Sequence, residues 1–334
     1  MRKLIIQIPC LNEEATLPVT LGCLPRAVPG YDVVEWLVID DGSTDRTVEV
    51  ARAHGVDHIV QLSPNQGLAK AFLAGLEASL RAGADTIVNT DADNQYDATN
   101  IPDLVRPIVD GRAQIVVGAR PIARIEHFSA TKKFLQRLGS WAVRMASGAD
   151  IPDAPSGFRA IHRDAALRLH LFNDYTYTLE SIIQAGRKNL KIVSVPIRVN
   201  GELRPSRLIK SIPLYIRRSL VTILRIFILY KPFRFFALLG LLSLAPGLVI
   251  GLRFVLAYAS GSGEGHIQSL ILSAIFIVAA VVLLIAGVLA DLTAANRHLL
   301  EDVRMRLLRL EVDRDAAQSR AVVPVADAVS GGGA

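Results

Sequence analysis

The sequence predicts an α/β domain with a doubly wound, mostly parallel sheet, followed by amphipathic interface helices and a two-helix transmembrane hairpin. Three observations predict it. Residues 1–203 alternate short apolar runs with amphipathic stretches, the pattern of strands and helices wound into a parallel sheet. Residues 204–234 interleave cations with aliphatic side chains. Two apolar runs, 235–259 and 267–290, are each long enough to cross a hydrocarbon core of about 30 Å. Those runs lift the mean hydropathy of the 334 residues to +0.35.

Within the first region, Leu4–Ile8 reads as a strand stopping at Pro9, and Val33–Ile39 as a second strand opening into Asp40, Asp41, Gly42 and Ser43. Ser43 or Thr44 is placed to cap a helix over Asp45–His54. His58–Leu62 is a third strand, and Leu68–Ala82 a helix with Gly83 just past its end. Thr86–Asn89 is a buried strand running into Thr90 and Asp91, Ile101–Val109 a helix with Pro102 in its first turn, and Ile115–Gly118 another strand. In such sheets ligands bind at the carboxyl ends of the strands, where the polar motifs of this chain fall.

From 204 to 234, Arg204, Arg207, Lys210, Arg217, Arg218, Arg225, Lys231 and Arg234 alternate with Leu and Ile, and Pro213 divides the stretch into two expected helices. A basic amphipathic helix lies in a membrane interface, cations toward anionic headgroups. Gly261–Gly265 is a short polar turn between the spans. Lys231 and Arg234 precede the first span and Arg297, Arg304 and Arg306 follow the second, which puts both termini in the cytoplasm. The apolar start Leu4–Ile8 is too short for a signal core, which agrees. The chain is therefore expected to be an integral protein of the cytoplasmic membrane. Residues 291–315 read as a charged cytoplasmic helix and 316–334 as a disordered tail. The net charge of +6 sits beside the spans, so anionic lipid accounts for it and nucleic acid does not. Cys10 and Cys23 lack metal-ligand spacing and, in a reducing compartment, are expected to be free.

Five segments can carry chemistry. Pro9, Asn12 and Glu13 follow the first strand, where a polar acidic loop can contact a nucleoside. Asp40 and Asp41 end the second strand, where carboxylates can accept from a base or a ribose hydroxyl; a capped helix start explains them equally well on local grounds. Asp91 and Asp93 follow a buried strand and can offer oxygens to one hard cation such as Mg²⁺ or Mn²⁺, or, on local grounds alone, simply cap a loop. Arg120, Lys132, Lys133 and Arg137 suit an anionic acceptor such as a phosphate, or form a solvated basic face. Ser156, Gly157, Phe158 and Arg159 suggest a loop contacting phosphate or sugar, with Glu180 on a helix start near it.

Taken in order, these segments resemble the family 2 glycosyltransferases. They most resemble the branch of dolichol-phosphate mannose synthases and bacterial polyprenyl-phosphate glycosyltransferases. The resemblance covers residue 4 to about 210, and the hairpin resembles that of bacterial and archaeal members. It implies a GT-A fold, an inverting mechanism and a divalent cation, Mg²⁺ or Mn²⁺. By residue-wise match, Pro9, Glu13 and Asp41 would lie at the nucleotide, with Asn12, Asp40 and Ala92 beside them. Asp91, Asp93 and Gln95 match the family's metal-binding Asp-x-Asp-x-Gln. Arg120 matches an arginine that contacts the acceptor phosphate, and Ser156 and Arg159 belong to the matching Ser-Gly-Phe-Arg loop. The family's Arg-Lys-x-x-Ser element appears as Lys132, Lys133 and Gln136, which keeps the charge and loses the bidentate fork. The later Arg…Ser-Lys element appears as Arg204, Ser206 and Arg207, and Asn94 stands where many relatives have Gly.

The implied reaction moves a sugar from a nucleotide-sugar donor (a UDP- or GDP-hexose) to a polyprenyl phosphate at the cytoplasmic membrane face. A lipid phosphate is already an anion and needs positioning rather than a strong base. Asp91, Asp93 and Arg120 would be the catalytic groups. Because relatives include oligomers, a homo-oligomer is among the partners the resemblance implies. The alternatives are transfer to a lipid hydroxyl, with Asp153 or Glu180 as base, transfer to a growing polysaccharide, and an inactive membrane-anchored scaffold.

Overall fold

A computed structural model describes residues 1–121, 140, 141, 143–145, 147–169, 177–201, 221, 224, 225, 228, 230–261 and 267–321. The chain divides into two compact units, Met1–Ile216 with Asp302–Ala334, and Arg217–Glu301.

The first unit is built on seven strands: β1 (Lys3–Cys10), β2 (Val33–Asp40), β3 (His58–Gln61), β4 (Thr86–Asn89), β5 (Ile115–Ala119), β6 (Arg159–His162) and β7 (Ile192–Pro196). They form one sheet in the order β3-β2-β1-β4-β6-β5-β7. All neighbours are parallel except β6, which runs antiparallel between β4 and β5. β1 is the middle of the parallel part: Leu4, Ile5, Ile6 and Ile8 are fully buried because helices cover both faces. The helices are α1 (Leu17–Cys23), α2 (Thr47–Ala53), α3 (Leu68–Arg81), α4 (Ile101–Val109), α5 (Arg163–Arg168) and α6 (Thr178–Arg187). Gly83 takes φ +83° two residues beyond α3, a left-handed turn that glycine adopts without strain.

The expected alternation of strands and helices is present, and β4 and α4 have the predicted bounds. The expected cap is different. Ser43 and Thr44 do not cap α2, which begins at Thr47; the carboxylate of Asp45 accepts from the Thr47 amide at 3.0 Å instead. Four elements carried no clear pattern in the sequence: α1, interrupted by Pro18 and Gly22, and the short β6, α5 and β7.

The last part of the long helix α8 (Ile267–Ala321) also belongs to this unit from Asp302 onward. Arg81 at the end of α3 reaches Glu311 and Asp315, both at 2.7 Å, while Arg163 and Asp164 on α5 pair with Asp313 and Arg309 at 3.5 Å. Val312, on the same turns, is 1% exposed. The charged helix expected over 291–315 is thus a continuation of α8.

In the second unit, α7 (Pro232–Ala259) and the start of α8 are each long and apolar enough to cross a membrane, by length and composition. They meet through small residues. Ser243 Oγ donates to the Phe276 carbonyl at 2.9 Å and Ser273 Oγ to the Gly247 carbonyl at 2.7 Å. A Cβ on Gly251 would stand 2.7 Å from Ser273 Oγ. Glycine and serine therefore line the seam, while Leu241, Leu248, Val249 and Val278 face outward, more than half exposed. Lys132, Lys133, Gln136 and Arg137, the basic positions Arg204, Arg207, Lys210, Arg217 and Arg218, and residues 322–334 lie outside the described residues.

Candidate active site

The register of the sheet assembles the site. Cys10 pairs with Asp40 and Gln7 with Asn89, so β1, β2 and β4 deliver their carboxyl ends to one edge. Pro9 lies inside β1 and is buried.

The loops after β1 and β2 are joined by side chains. The Asn12 amide donates to Ser43 Oγ at 2.9 Å, and the Thr44 amide donates to Asn12 Oδ1 at 2.8 Å. The Glu13 amide donates to Thr47 Oγ1 at 2.8 Å, and the Glu14 amide to Asp45 at 3.1 Å. Asn12 sits at φ +55°, a conformation asparagine tolerates better than most residues. Glu13 is buried, and its carboxylate accepts the Thr16 hydroxyl at 2.5 Å. Asp40 accepts from the Ser43 amide at 3.0 Å. Asp41 is 4% exposed, and its two oxygens accept the amides of Gln66 and Gly67 at 2.8 and 2.9 Å. Burial, and then the acids Glu13, Asp40, Asp45 and Asp91, push the Cys10 thiol well above its ordinary value; it stays a protonated core group.

The turn after β4 differs. Asp91 and Asp93 are both partly exposed. One oxygen of Asp93 accepts the Gln95 amide at 3.1 Å, and Asn94 between them takes φ +55°. Ala92 is buried, its carbonyl held by Thr20 Oγ1 at 2.8 Å, so the two aspartates flank a fixed point. Gly157 packs against Asp91: a Cβ there would lie 3.3 and 3.4 Å from the two carboxylate oxygens and 2.7 Å from Tyr177 Oη. Gly157 is itself pinned, its amide donating to Tyr96 Oη at 3.0 Å and its carbonyl accepting Asn89 Nδ2 at 2.9 Å. Asn89 is in turn held by Gln7 Nε2 at 2.8 Å, and Tyr177 stacks on Phe72 with ring centroids 4.0 Å apart. Burial, then Asp91, raises Tyr96 to about 12, so its hydroxyl stays neutral as a fixed dipole.

Arg120 follows β5. Its Nε and Nη2 donate to Asp153 at 2.7 and 3.0 Å, a bidentate pair with the carboxylate fully buried. Burial alone would lower the guanidinium pKa, but Tyr96, Asp153 and Asp91 outweigh it and raise it. Asp91 and Arg120 follow the carboxyl ends of β4 and β5, on the same edge of the sheet. Arg159, expected at an acceptor, faces inward instead. It is 1% exposed, and its nitrogens donate to the carbonyls of Ser156 (2.8 Å) and Ala154 (2.7 Å) and to Ser181 Oγ (2.5 Å). It braces the 153–157 loop from beneath, and burial lowers its pKa to about 10. Ser156 Oγ is buried with no hydrogen-bond partner among the described residues. Lys132, Gln136, Arg204 and Arg207 lie outside the described residues.

The sequence alone assigns no role to Gln7, nor to Asn89, Tyr96 and Tyr177, which stand in the segments around Asp91 and before Glu180. One signal existed for two of them: Gln7 and Asn89 are amides inside or ending strands that are otherwise apolar, and a buried amide needs a partner.

The donor set fits a hard divalent cation. Among the described residues no group of three His, Cys, Asp or Glu side chains could hold a metal ion, and Asp91 and Asp93 are two carboxylates on one turn. Such a pair suits a cation that completes its shell with phosphate oxygens and water.

Residues 5–169 match Glycosyl transferase family 2. The undecaprenyl-phosphate mannosyltransferase of Micrococcus luteus is 32% identical over 219 residues, 62% of this chain and 88% of that protein. The polyprenol monophosphomannose synthase of Mycolicibacterium smegmatis is 27% identical over 207 residues, 59% of this chain and 77% of that one. Among solved structures, glucosyl-3-phosphoglycerate synthase of Mycobacterium tuberculosis with phosphoglyceric acid superposes with a TM-score of 0.53 at 23% identity, covering 66% of this chain and 80% of that one. Another structure of that enzyme, with Mn²⁺, UDP and glucosyl-3-phosphoglycerate, gives 0.50 at 23% identity over the same shares. This structural likeness establishes the fold, GT-A, on which the turns described above sit. The chain belongs to glycosyltransferase family 2 and is a glycosyltransferase.

Proposed function

We propose that the protein transfers a sugar from a nucleotide-sugar to a polyprenyl phosphate, with inversion at the anomeric carbon, at the cytoplasmic face of a membrane. One observation carries the reading: partly exposed Asp91 and Asp93 share a sheet edge with Arg120, whose guanidinium is oriented by a buried carboxylate. One half of that edge suits a cation and a diphosphate, and the other suits an anionic acceptor. The relatives named for undecaprenyl-phosphate and polyprenol mannosyl transfer support the acceptor class.

Each group has a task. The joined loops of Asn12, Glu13, Asp40 and Asp41 form the floor for the nucleoside, with Asp41 acting through the 66–67 backbone it holds. Asp91 and Asp93, with Gln95, would hold Mg²⁺ or Mn²⁺. When bound, that cation supplies positive charge opposite the departing diphosphate. Arg120 holds the acceptor phosphate in line with the anomeric carbon, using the donors not spent on Asp153. Arg159 holds the 153–157 loop through the carbonyls of Ala154 and Ser156, and Gly157, having no side chain, leaves room for the Asp91 carboxylate. Asp153 spends both oxygens on Arg120, which disfavours it as a base for a lipid hydroxyl; a phosphate anion needs none. The two apolar helices α7 and α8 would tether the chain to the membrane that holds a lipid substrate.

The test is incubation of the purified full-length protein with labelled UDP- and GDP-sugars and polyprenyl phosphate. An organic-extractable labelled product that requires a divalent cation is expected. Label that stays in the aqueous phase with every donor, or is found only on lipid hydroxyls, overturns the acceptor assignment.

A further inference from the structure

The segment leaving β7 makes contacts on two sides that the reaction itself does not require. At one end, the Ile197 amide donates to the Ala119 carbonyl at 3.0 Å, next to Arg120, and Ile197 packs on Gly118. Two residues later, Val199 forms an isolated antiparallel bridge with Tyr96. The Asn200 amide then donates to the Gln95 carbonyl at 2.8 Å, and Asn200 Nδ2 to the Asn94 carbonyl at 2.9 Å. Arg198 grips the far end of the same turn, through Asp97 at 3.4 Å and Thr99 Oγ1 at 3.1 Å. Four residues, 197–200, thus strap the end of β5 to the turn that carries Asp93 and Gln95.

The turn needs that support. Asn94 stands at φ +55°, which costs a non-glycine residue conformational energy, and the peptide on either side of it is where the chain must reverse between Asp93 and Gln95. Both carbonyls that Asn200 engages belong to this reversal, one through its side chain and one through its amide, so the two hydrogen bonds hold the backbone that carries Asp93 and Gln95. The same short strap is tied at Ala119, the residue before Arg120, so it connects the backbone of the Asp93–Gln95 turn to that of the Arg120 segment.

We propose that Asn200 is a positioning residue for the cation, acting through Asn94 and Gln95, and that residues 197–200 fix the distance between the cation and the acceptor arginine. The proposal rests on the assignment of Asp91, Asp93 and Gln95 as cation ligands. Asn200 is exposed, so its truncation leaves the core intact.

The experiment measures Mn²⁺ binding directly, by loss of the free-ion electron paramagnetic resonance signal. Mn²⁺ is titrated into full-length protein in nanodiscs saturated with UDP and, in parallel, with GDP. Asn200→Ala is expected to weaken Mn²⁺ binding about two- to tenfold, the range a single net hydrogen bond supplies. Arg198→Ala, which frees only the Asp97–Thr99 end, is expected to change it less than twofold. In steady-state transfer, the Mn²⁺ concentration for half-maximal rate should rise in Asn200→Ala by more than kcat falls. Wild-type Mn²⁺ affinity in Asn200→Ala, while Asp93→Asn loses binding, overturns the strap and leaves the cation assignment standing. Equal weakening by Asn200→Ala and Arg198→Ala means general loosening, and also overturns it. Unchanged Mn²⁺ affinity in Asp93→Asn, or no binding by the wild type with either nucleotide, removes the cation assignment and this proposal with it.

Discussion

The turns after β2 and β4 look alike in sequence. Each follows a buried apolar strand, each carries two carboxylates within three residues, and each continues into a polar turn. In the folded chain they do opposite things. Asp40 and Asp41 are 3% and 4% exposed and spend their oxygens on the amides of Ser43, Gln66 and Gly67. Asp91 and Asp93 remain partly exposed, and the neighbouring Asn94 and Gln95 are held by their carbonyls from the strap at 200. Where the backbone satisfies a carboxylate, the acid builds a loop. Where Thr20 and Asn200 also hold the backbone, the carboxylates stay partly exposed and within reach of a ligand.

Asp93→Ala should break this contrast most severely. Transfer is expected to be lost, by a hundredfold or more as an order of magnitude for removing electrostatic stabilisation of a leaving group, while the thermal midpoint and membrane retention stay near wild type. Full transfer by this variant with metal chelated would remove the cation from the account. Asp41→Ala should do the reverse. It leaves the amides of Gln66 and Gly67 without their acceptor and is expected to cost about 1–3 kcal/mol of stability, read from denaturant unfolding of the full-length protein. A variant with wild-type stability and abolished transfer would place Asp41 directly on the substrate and erase the distinction drawn here.

The sequence carried much of this fold because periodicity and turn chemistry are local. β4 and α4 stand where an apolar run and a Pro-opened amphipathic stretch put them. What it did not carry is direction and long-range pairing. Ser43 and Thr44 look like caps, but their partner is Asn12, 31 and 32 residues away, and no local pattern encodes that. Arg159 looked like a phosphate contact because it follows Ser156, Gly157 and Phe158. It turned inward because it begins β6, whose alternation sends its side chain under the loop to Ala154 and Ser156. Arg120 was identified from its motif. Its partner Asp153 lies 33 residues on, and only the pairing of β5 with β6 brings the two regions together. Gly157 entered as part of a motif, yet its tight contact with Asp91 and Tyr177 is a property of three segments at once.

The smallest expected effect sharpens the comparison through pH. Asp45 belongs to the loop-building turn. Burial pushes its carboxyl up, but the hydroxyl and amide of Thr47 and the amide of Glu14 outweigh that and hold it below the ordinary carboxylate value of 3.8. A folded-state pKa below the unfolded one contributes stability above the unfolded value and loses it as pH falls through the folded one. Asp45→Asn should therefore be less stable than wild type at pH 7, and the gap should narrow as the pH is lowered past the carboxylate range. The gap is modest because Asp45 is partly exposed and salt screens it. Thermal midpoints of the two proteins at pH 7 and pH 3 give the measurement. A gap that stays constant between the two values means that the charge of Asp45 does no structural work. Its hydrogen bonds to Thr47 and Glu14, one to each carboxylate oxygen, would then hold the turn by geometry without any contribution from ionisation.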